Sequence, residues 1–471
     1  MSDSAEQPAF WRRADSASVP LADHHRGWLS AIRSGQLGPY FVNGPNFAVR
    51  ILLPIQIRWL SQSLAILLQR HRILSARIVD GKDGPEYLFD ELQAIPLETM
   101  DVSGLPTEAV VEEARRLASE QVWKPFECAS GPWVRSFLIR LGDMDYVFGM
   151  VVHHLLADAV SMGIARTELM QAYRLYAMGQ RPAAREKESL QYADWSVAMN
   201  EWVQSGAGET HARYWRGLLR GAPATRIRPD RELDLDEYSD VALHSFHVPS
   251  GLVAQLRRLG ERKRCFFQAI IAAGLIATIA SVTKSTDVVV ASQITGRHDS
   301  NVMGMIGPLF DAFAIRVNVA LTAGFEELLE AVQRQLIDSL PHQAYPFEMV
   351  KAALRGIGAS DAFPMFNLLD LSDQRAEEDR GTGIAQHFDL LQHPLEIQSR
   401  RIHTSFYLRL LVREDGINAQ IVYLASMYQA HTISAFAETF CRVLQEAVAH
   451  PGRKLPSPAG EREVSHGTAK R

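Results

Sequence analysis

The sequence predicts an α/β protein built as two lobes, on three observations. Segments with apolar residues spaced at the helical period alternate with short runs of β-branched and aromatic residues along most of the chain. The same alternation occurs on both sides of residues 181–188, a charged stretch containing proline, which marks the expected boundary between lobes. The chain has 471 residues and is 47% hydrophobic, enough to bury more than one core.

The elements follow in order. Residues 1–17 are polar and are expected to form a disordered tail. The first lobe, 18–183, carries helical spacing at 56–70 and 108–121 and strand patterns at 133–140 and 146–152, then a helix at 161–176. The second lobe, 184–455, has helices at 252–260 and 267–281, the latter holding the longest apolar run, 269–280. That run is too short to cross a bilayer and is expected to be a buried helix. Strands are expected at 287–293, 406–412 and 418–424, then a closing amphipathic helix at 432–448. Residues 456–471 are polar and charged, a second disordered tail. No repeat of solenoid length is visible.

Composition narrows the functional classes. The formal net charge of -5 is small for this length, so neither nucleic acid nor membrane is an expected partner. Cys128, Cys265 and Cys441 are isolated, which fits a reducing compartment without a disulfide framework; a cytoplasmic location is expected. Arg12-Arg13 is followed by Ala-Asp-Ser and not by an apolar stretch, which argues against a secretory or twin-arginine signal. There is no phosphate-binding G-x-x-x-x-G-K-[ST], no dinucleotide-type G-x-G-x-x-G and no G-x-S-x-G nucleophile elbow.

The segment richest in chemistry runs from Met150 to Ser161 and contains His153, His154 and Asp158. It lies where a buried strand gives way to a helix, so its side chains can project into a cleft. Three readings of the histidines stand open on the residues alone. They form a core pair satisfied by backbone groups. They bind a metal, although neighbours on a strand point to opposite faces and no Cys or Glu cluster completes a ligand set. Or one histidine, His154, moves a proton near neutral pH, with His153 and Asp158 as supports.

His153-His154-x-x-x-Asp158-Ala159 resembles the His-His-x-x-x-Asp-Gly signature of the condensation domains of nonribosomal peptide synthetases, in the chloramphenicol acetyltransferase superfamily. Further segments resemble that family in its order. They are Pro20 to Trp28, with His25 where Gln is usual; Arg70 to Ala76; and Lys124-Pro125-Phe126 with Gly131-Pro132-Trp133-Val134-Arg135. Tyr192-Ala193-Asp194-Trp195, Gly296-Arg297, Ile306 to Arg316 and His342 to Glu348 continue the series. The Asp-Phe-Gly-Trp-Gly segment of the plant-type acyltransferase branch is absent, as are the motifs of carrier and adenylation domains. The chain starts at Met1 and ends soon after the resemblance, so a free-standing domain is expected.

The resemblance implies two chloramphenicol acetyltransferase-like lobes in a V-shaped pseudo-dimer, with a channel passing the second histidine. Segments around Ile306-Gly307 and at 386–396 should cross from the second lobe to the first. It implies an acyltransferase that takes an acyl group from a phosphopantetheine thioester on an acyl or peptidyl carrier protein. The acceptor is a carrier-bound or small-molecule amine or hydroxyl. The product is an amide or ester in nonribosomal peptide or hybrid polyketide biosynthesis, antibiotics included. No cofactor or metal is expected in the protein itself, since the carrier delivers the phosphopantetheine arm, and a monomer is expected. Two alternatives share the fold: an acyltransferase using acyl-coenzyme A, and a silent homologue that only recruits carriers.

In residue terms, the resemblance makes His154 catalytic, by removing a proton or by positioning the nucleophile and stabilising charge. His153 becomes structural, and Asp158 pairs with Arg297, against the simpler reading of Asp158 as a helix N-cap. Ala159 and Ser161 are acceptor-side candidates, while Trp28, Tyr192 and Trp195 are expected as core aromatics. The departures are Ala159 for the motif glycine, Asp311 for the usual Asn and Tyr407 for a late Asp. Ala159 is strained if the position needs positive φ; otherwise it narrows the cleft. These departures point to an unusual acceptor.

Overall fold

The computed structural model describes residues 16–35, 37, 39–91, 94–127, 131–184, 190–231, 239–356, 363–370, 384–387, 398–399 and 406–453. Two large sheets carry the fold. The first has five strands in the spatial order Ile384–His387, Asn46–Ile51, Asp145–Val152, Val134–Gly142 and Leu97–Asp101. The second has seven, in the order Asp311–Asn318, Asp287–Ile294, Met365–Asp370, Phe406–Arg413, Gly416–Leu424, Ser239–Pro249 and Gln398–Ser399. A small sheet of Ser18–Pro20, Gly84–Phe89 and Ala76–Gly81 stands apart.

Asp145–Val152 is the middle strand of the first sheet, antiparallel to both neighbours. From Val147 onward all its residues are buried, as expected of a strand covered on both faces. Gly149 lies opposite Phe137, and a methyl at Gly149 would meet that ring at 2.1 Å. The missing side chain is filled by the aromatic ring across the strand, which packs the centre of the sheet. Behind it, Ile57–Arg70 packs against Ala159–Ala177. In the second half, Phe267–Thr283 is buried on every side from Ala269 to Ala280, with Phe325–Ser339 and Ala430–Ala449 packed along it. A helix apolar all round can only be a core helix or a membrane span. Among the described residues no single helix is long and apolar enough to cross a membrane; Ser250–Lys263 and Phe267–Thr283 pass only together, across a 108° bend.

The periodic segments of the sequence match helices and strands to within a few residues, as with Ala430–Ala449 for 432–448. Several elements had no legible signal, among them Ser239–Pro249, Asn46–Ile51 and the small sheet. The expected tails at 1–15 and 456–471 lie outside the described residues, as does 185–188 of the expected lobe boundary. Residues 16 and 17 are exceptions: the Ser16 carbonyl accepts from Arg72 at 2.6 Å, and the Ala17 carbonyl accepts from Phe89 N at 3.1 Å beside the small sheet.

Two segments from the C-terminal half reach the N-terminal half. Ile384–His387 pairs antiparallel with Asn46–Ile51 and forms the edge of the first sheet. The remainder of the expected 386–396 crossing, 388–396, lies outside the described residues. Residues 306–310 pass directly beside the start of helix Ala159–Ala177: Gly307 N bonds Ser161 Oγ at 3.1 Å, and a methyl on Gly307 would strike the Tyr192 ring at 2.1 Å. The site forms there.

Candidate active site

The strand Asp145–Val152 ends directly before the two histidines, and their backbone N–H groups turn to different neighbours. His153 N donates to Trp133 O at 2.9 Å, while His154 N donates to Val42 O at 2.8 Å. This continues the alternation of a strand, so the two rings point apart. His153 is buried and stacked on Trp133 at 4.2 Å, and its Nδ1 accepts from Leu155 N at 3.1 Å. His154 remains partly exposed. Its Nδ1 lies 2.9 Å from Ala157 O, a carbonyl, so this nitrogen carries the proton and donates it. Nε2 is therefore left with its lone pair. The ring is held between Phe41 at 4.7 Å and Phe310 at 4.6 Å, with Trp28 at 6.3 Å. Burial lowers the His154 pKa, outweighing the opposing effects of Ala157 O and Asp158, so the imidazole is neutral at pH 7.

Asp158 is the hub of the loop. Its Oδ1 caps helix Ala159–Ala177 by accepting from Ser161 N at 2.7 Å, and Arg297 grips both carboxylate oxygens, at 2.7 and 3.1 Å. Leu309 N and Phe310 N also donate to Oδ2, each at 3.1 Å. The cap and the ion pair thus coexist, and one carboxylate joins the histidine loop to segment 306–310 and to Arg297. Ser161 is fully buried inside this cluster, its hydroxyl within bonding reach of Asp158, Arg297 and Gly307. It has no free surface for an acceptor, which corrects the acceptor-side expectation for that residue. Ala159 is the exposed first residue of the helix and has no positive φ, so the condition under which it would be strained is not met.

The sequence model of the condensation domain family matches residues 46–459. The chain belongs to the condensation domain family. A linear gramicidin synthase of Brevibacillus parabrevis is 26% identical over 412 residues, 86% of this chain and 8% of that relative. Bacitracin synthase 1 of Bacillus licheniformis is 23% identical over 427 residues, 89% of this chain and again 8% of the relative. This condensation domain therefore spans a small part of the length of such relatives. Among solved structures, the first condensation domain of the calcium-dependent antibiotic synthetase with substrate analogue 3a aligns with a TM-score of 0.72 at 20% identity. That alignment covers 94% of this chain and 98% of the other. The X-domain from teicoplanin biosynthesis, in its complex with OxyB, aligns with a TM-score of 0.73 at 20% identity, covering 96% and 97%. The expected condensation-domain fold, an α/β architecture, is the fold observed. Among the described residues no cluster of three or more His, Cys, Asp or Glu side chains could hold a metal ion.

Sequence reasoning missed Phe41, Gly44 and Phe310 as neighbours of His154. Trp28, expected as a core aromatic, is 7% exposed but stacks on Phe310 at 4.9 Å and helps wall the imidazole. Its indole N–H donates to Glu348 at 3.3 Å. His25, in place of Gln, stacks on Trp28 and lies 3.1 Å from the Tyr192 hydroxyl. Asp311, in place of Asn, accepts from Phe347 N at 3.1 Å. Tyr407 donates its hydroxyl to Gln293 at 2.7 Å, an ordinary tie between strands of the second sheet.

Two stability predictions arise from the site. Gly296 has φ +67, and a methyl there would sit 1.6 Å from Leu309 O, on the residue whose N–H holds Asp158. Gly296→Ala is expected to cost at least about 1–3 kcal/mol through backbone strain alone, seen as a lower melting temperature; an unchanged melt would contradict it. The second concerns acid. Burial lowers His24 and His153 to about 3 and drives His25 well below its usual value. Unfolded, these groups titrate near 6.5, so their contribution is full above that pH and is lost as pH falls towards 3. Asp311 has the opposite sign: burial raises it from 3.8 to about 7, so its contribution is lost as pH rises through that range. These histidines, with His154 acting in the same direction, outweigh the one raised carboxyl and predict a melting temperature that declines steadily from pH 6.5 downward; a flat profile to pH 5 would refute it.

Proposed function

We propose that this condensation domain moves an acyl group from a carrier-protein phosphopantetheine thioester to an amine or hydroxyl, forming an amide or an ester. The observation that carries the reading is the fixed tautomer of His154, with Nδ1–H tied to Ala157 O and Nε2 left with its lone pair. The attacking nitrogen or oxygen forms the new bond to the thioester carbon, the C–S bond breaks, and the nucleophile's proton passes through Nε2 to the departing thiolate. A thioester is already activated, so alignment of the two substrates supplies much of the acceleration, up to about 7–11 kcal/mol in ideal cases. A placed base adds about 10²–10⁴-fold.

In this reading residues 18–183 and 184–455 act as two lobes of a V-shaped pseudo-dimer, and substrates approach through a channel between the lobes. The reach of Ile384–His387 and of residues 306–310 to the N-terminal half supports that arrangement. The protein works as a cytoplasmic monomer on nonribosomal peptide or hybrid polyketide intermediates. The sparse, isolated cysteines support that location.

The test incubates the purified chain with an acyl-loaded carrier protein, and separately with the matching acyl-coenzyme A, plus an amine or alcohol. Products are read by mass spectrometry. Product from the carrier alone supports the proposal, whereas equal product from coenzyme A supports the coenzyme-dependent reading. A second reading is carrier recruitment without catalysis; the similar X-domain in complex with OxyB shows only that a neighbour of this fold holds a partner protein. Tight carrier binding with no product from either donor favours it.

A further inference from the structure

We infer that Gly44 is the steric gate to Nε2 of His154 and limits the bulk beside the attacking nucleophile. The inference rests on the proposed role of His154 and names a specificity determinant for it. Gly44 is exposed and follows Phe41 and Val42, the residues that stack on and hydrogen-bond to His154. A methyl built on Gly44 would lie 3.3 Å from His154 Cδ2 and 3.6 Å from Nε2. That edge carries the unprotonated nitrogen, since Nδ1 is spent on Ala157 O. The open rim of the reactive nitrogen is therefore the space where Gly44 has no side chain.

The backbone gives no separate reason for glycine, because Gly44 is not among the residues with positive φ. Nor can the turn easily swing away. Gly44 N donates to Phe41 O at 3.0 Å, and Asn46 Nδ2 donates to Gly44 O at 3.1 Å. Asn43 Nδ2 donates to Val122 O and Lys124 O, and Val152 N donates to Pro45 O at 2.9 Å. The turn is thus fixed on both sides of Gly44. Alanine there needs shifts of tenths of an ångström, since its Cβ would also approach Phe41 O at 3.1 Å. A valine occupies two of the three staggered positions on Cβ, so branching leaves little of the rim open.

Diethylpyrocarbonate acylates exposed, unprotonated imidazole nitrogen and probes access without any substrate. At pH 7, peptide mass spectrometry follows modification of His154, with exposed His431 as the internal reference. Gly44→Val, in protein that remains folded by circular dichroism, is expected to slow modification of His154 several-fold while His431 stays unchanged, with Gly44→Ala between wild type and valine. If the valine variant does not fold, the alanine variant alone must show slowing. Equal His154 modification in wild type and the folded variants would overturn the inference. In the acyl-transfer assay, Gly44→Val should raise KM and lower kcat more for amines on branched carbons than on unbranched ones; equal loss for both would also overturn it. Slowed modification together with normal turnover by His154→Ala would leave the gate standing and reject the catalytic role instead.

Discussion

Replacing His154 by alanine is expected to lower acyl transfer from a loaded carrier by about 10²-fold or more, with carrier binding little changed. The ring fills the space between Phe41 and Phe310, so the same change also removes packing, and melting must be measured beside turnover. A base that acts only on the nucleophile shows its loss in kcat, with the fold intact. A packing residue shows the reverse, near-normal turnover in the surviving folded fraction and a lower melting temperature. Near-wild-type product from a folded His154→Ala protein would reject the catalytic role. Because burial depresses the imidazole pKa, activity of the wild type should hold from neutral pH down to below 6.5 before protonation removes the base. A loss already centred above 6.5 would not come from His154.

Asp158→Ala is expected to cost about 3–5 kcal/mol of stability, because Arg297 is left as a buried charge without its carboxylate. Side-chain exposure of both partners is only 2%, so water cannot readily replace the lost acceptor. Leu309 N, Phe310 N and Ser161 N lose their acceptor as well. Asp158→Asn keeps the shape and one oxygen for the helix cap but removes the charge, so it should fall between wild type and alanine. Coupling shows in the double replacement Asp158→Ala with Arg297→Met, which should cost less than the two single changes added together. Urea unfolding read by circular dichroism checks all four proteins. Full stability and full turnover of Asp158→Ala would refute the role assigned to the pair.

The legibility of this chain follows from what its residues do locally. Helices such as Phe267–Thr283 and strands such as Asp145–Val152 announce themselves because their burial imposes a periodic or continuous apolar pattern. Ser239–Pro249 did not, since its pattern His-Ser-Phe-His mixes polar residues on a strand lying between a two-residue neighbour and Gly416–Leu424. At the site, His153, His154, Asp158 and Arg297 were readable from the motif and the resemblance, and the structure brings the last two together. Ser161 was misassigned because its burial depends on residues 306–310, which are remote in sequence. Phe41 and Gly44 were invisible for the same reason: nothing local in Tyr40-Phe41-Val42-Asn43-Gly44 says that an imidazole from residue 154 docks against it.

The bonds on Asp158 also set an order of events during synthesis. Its partners on Arg297, Leu309 and Phe310 lie 139, 151 and 152 residues further along the chain. At about 5–20 residues per second, a ribosome delivers them roughly 7–30 s after the histidine loop itself has been made. Until then Asp158 has only its local partner, the helix it caps, and the loop carrying His154 lacks its Arg297 anchor. The nascent N-terminal half waits with its central machinery unlatched, and its completion is a late, long-range step in the maturation of the chain.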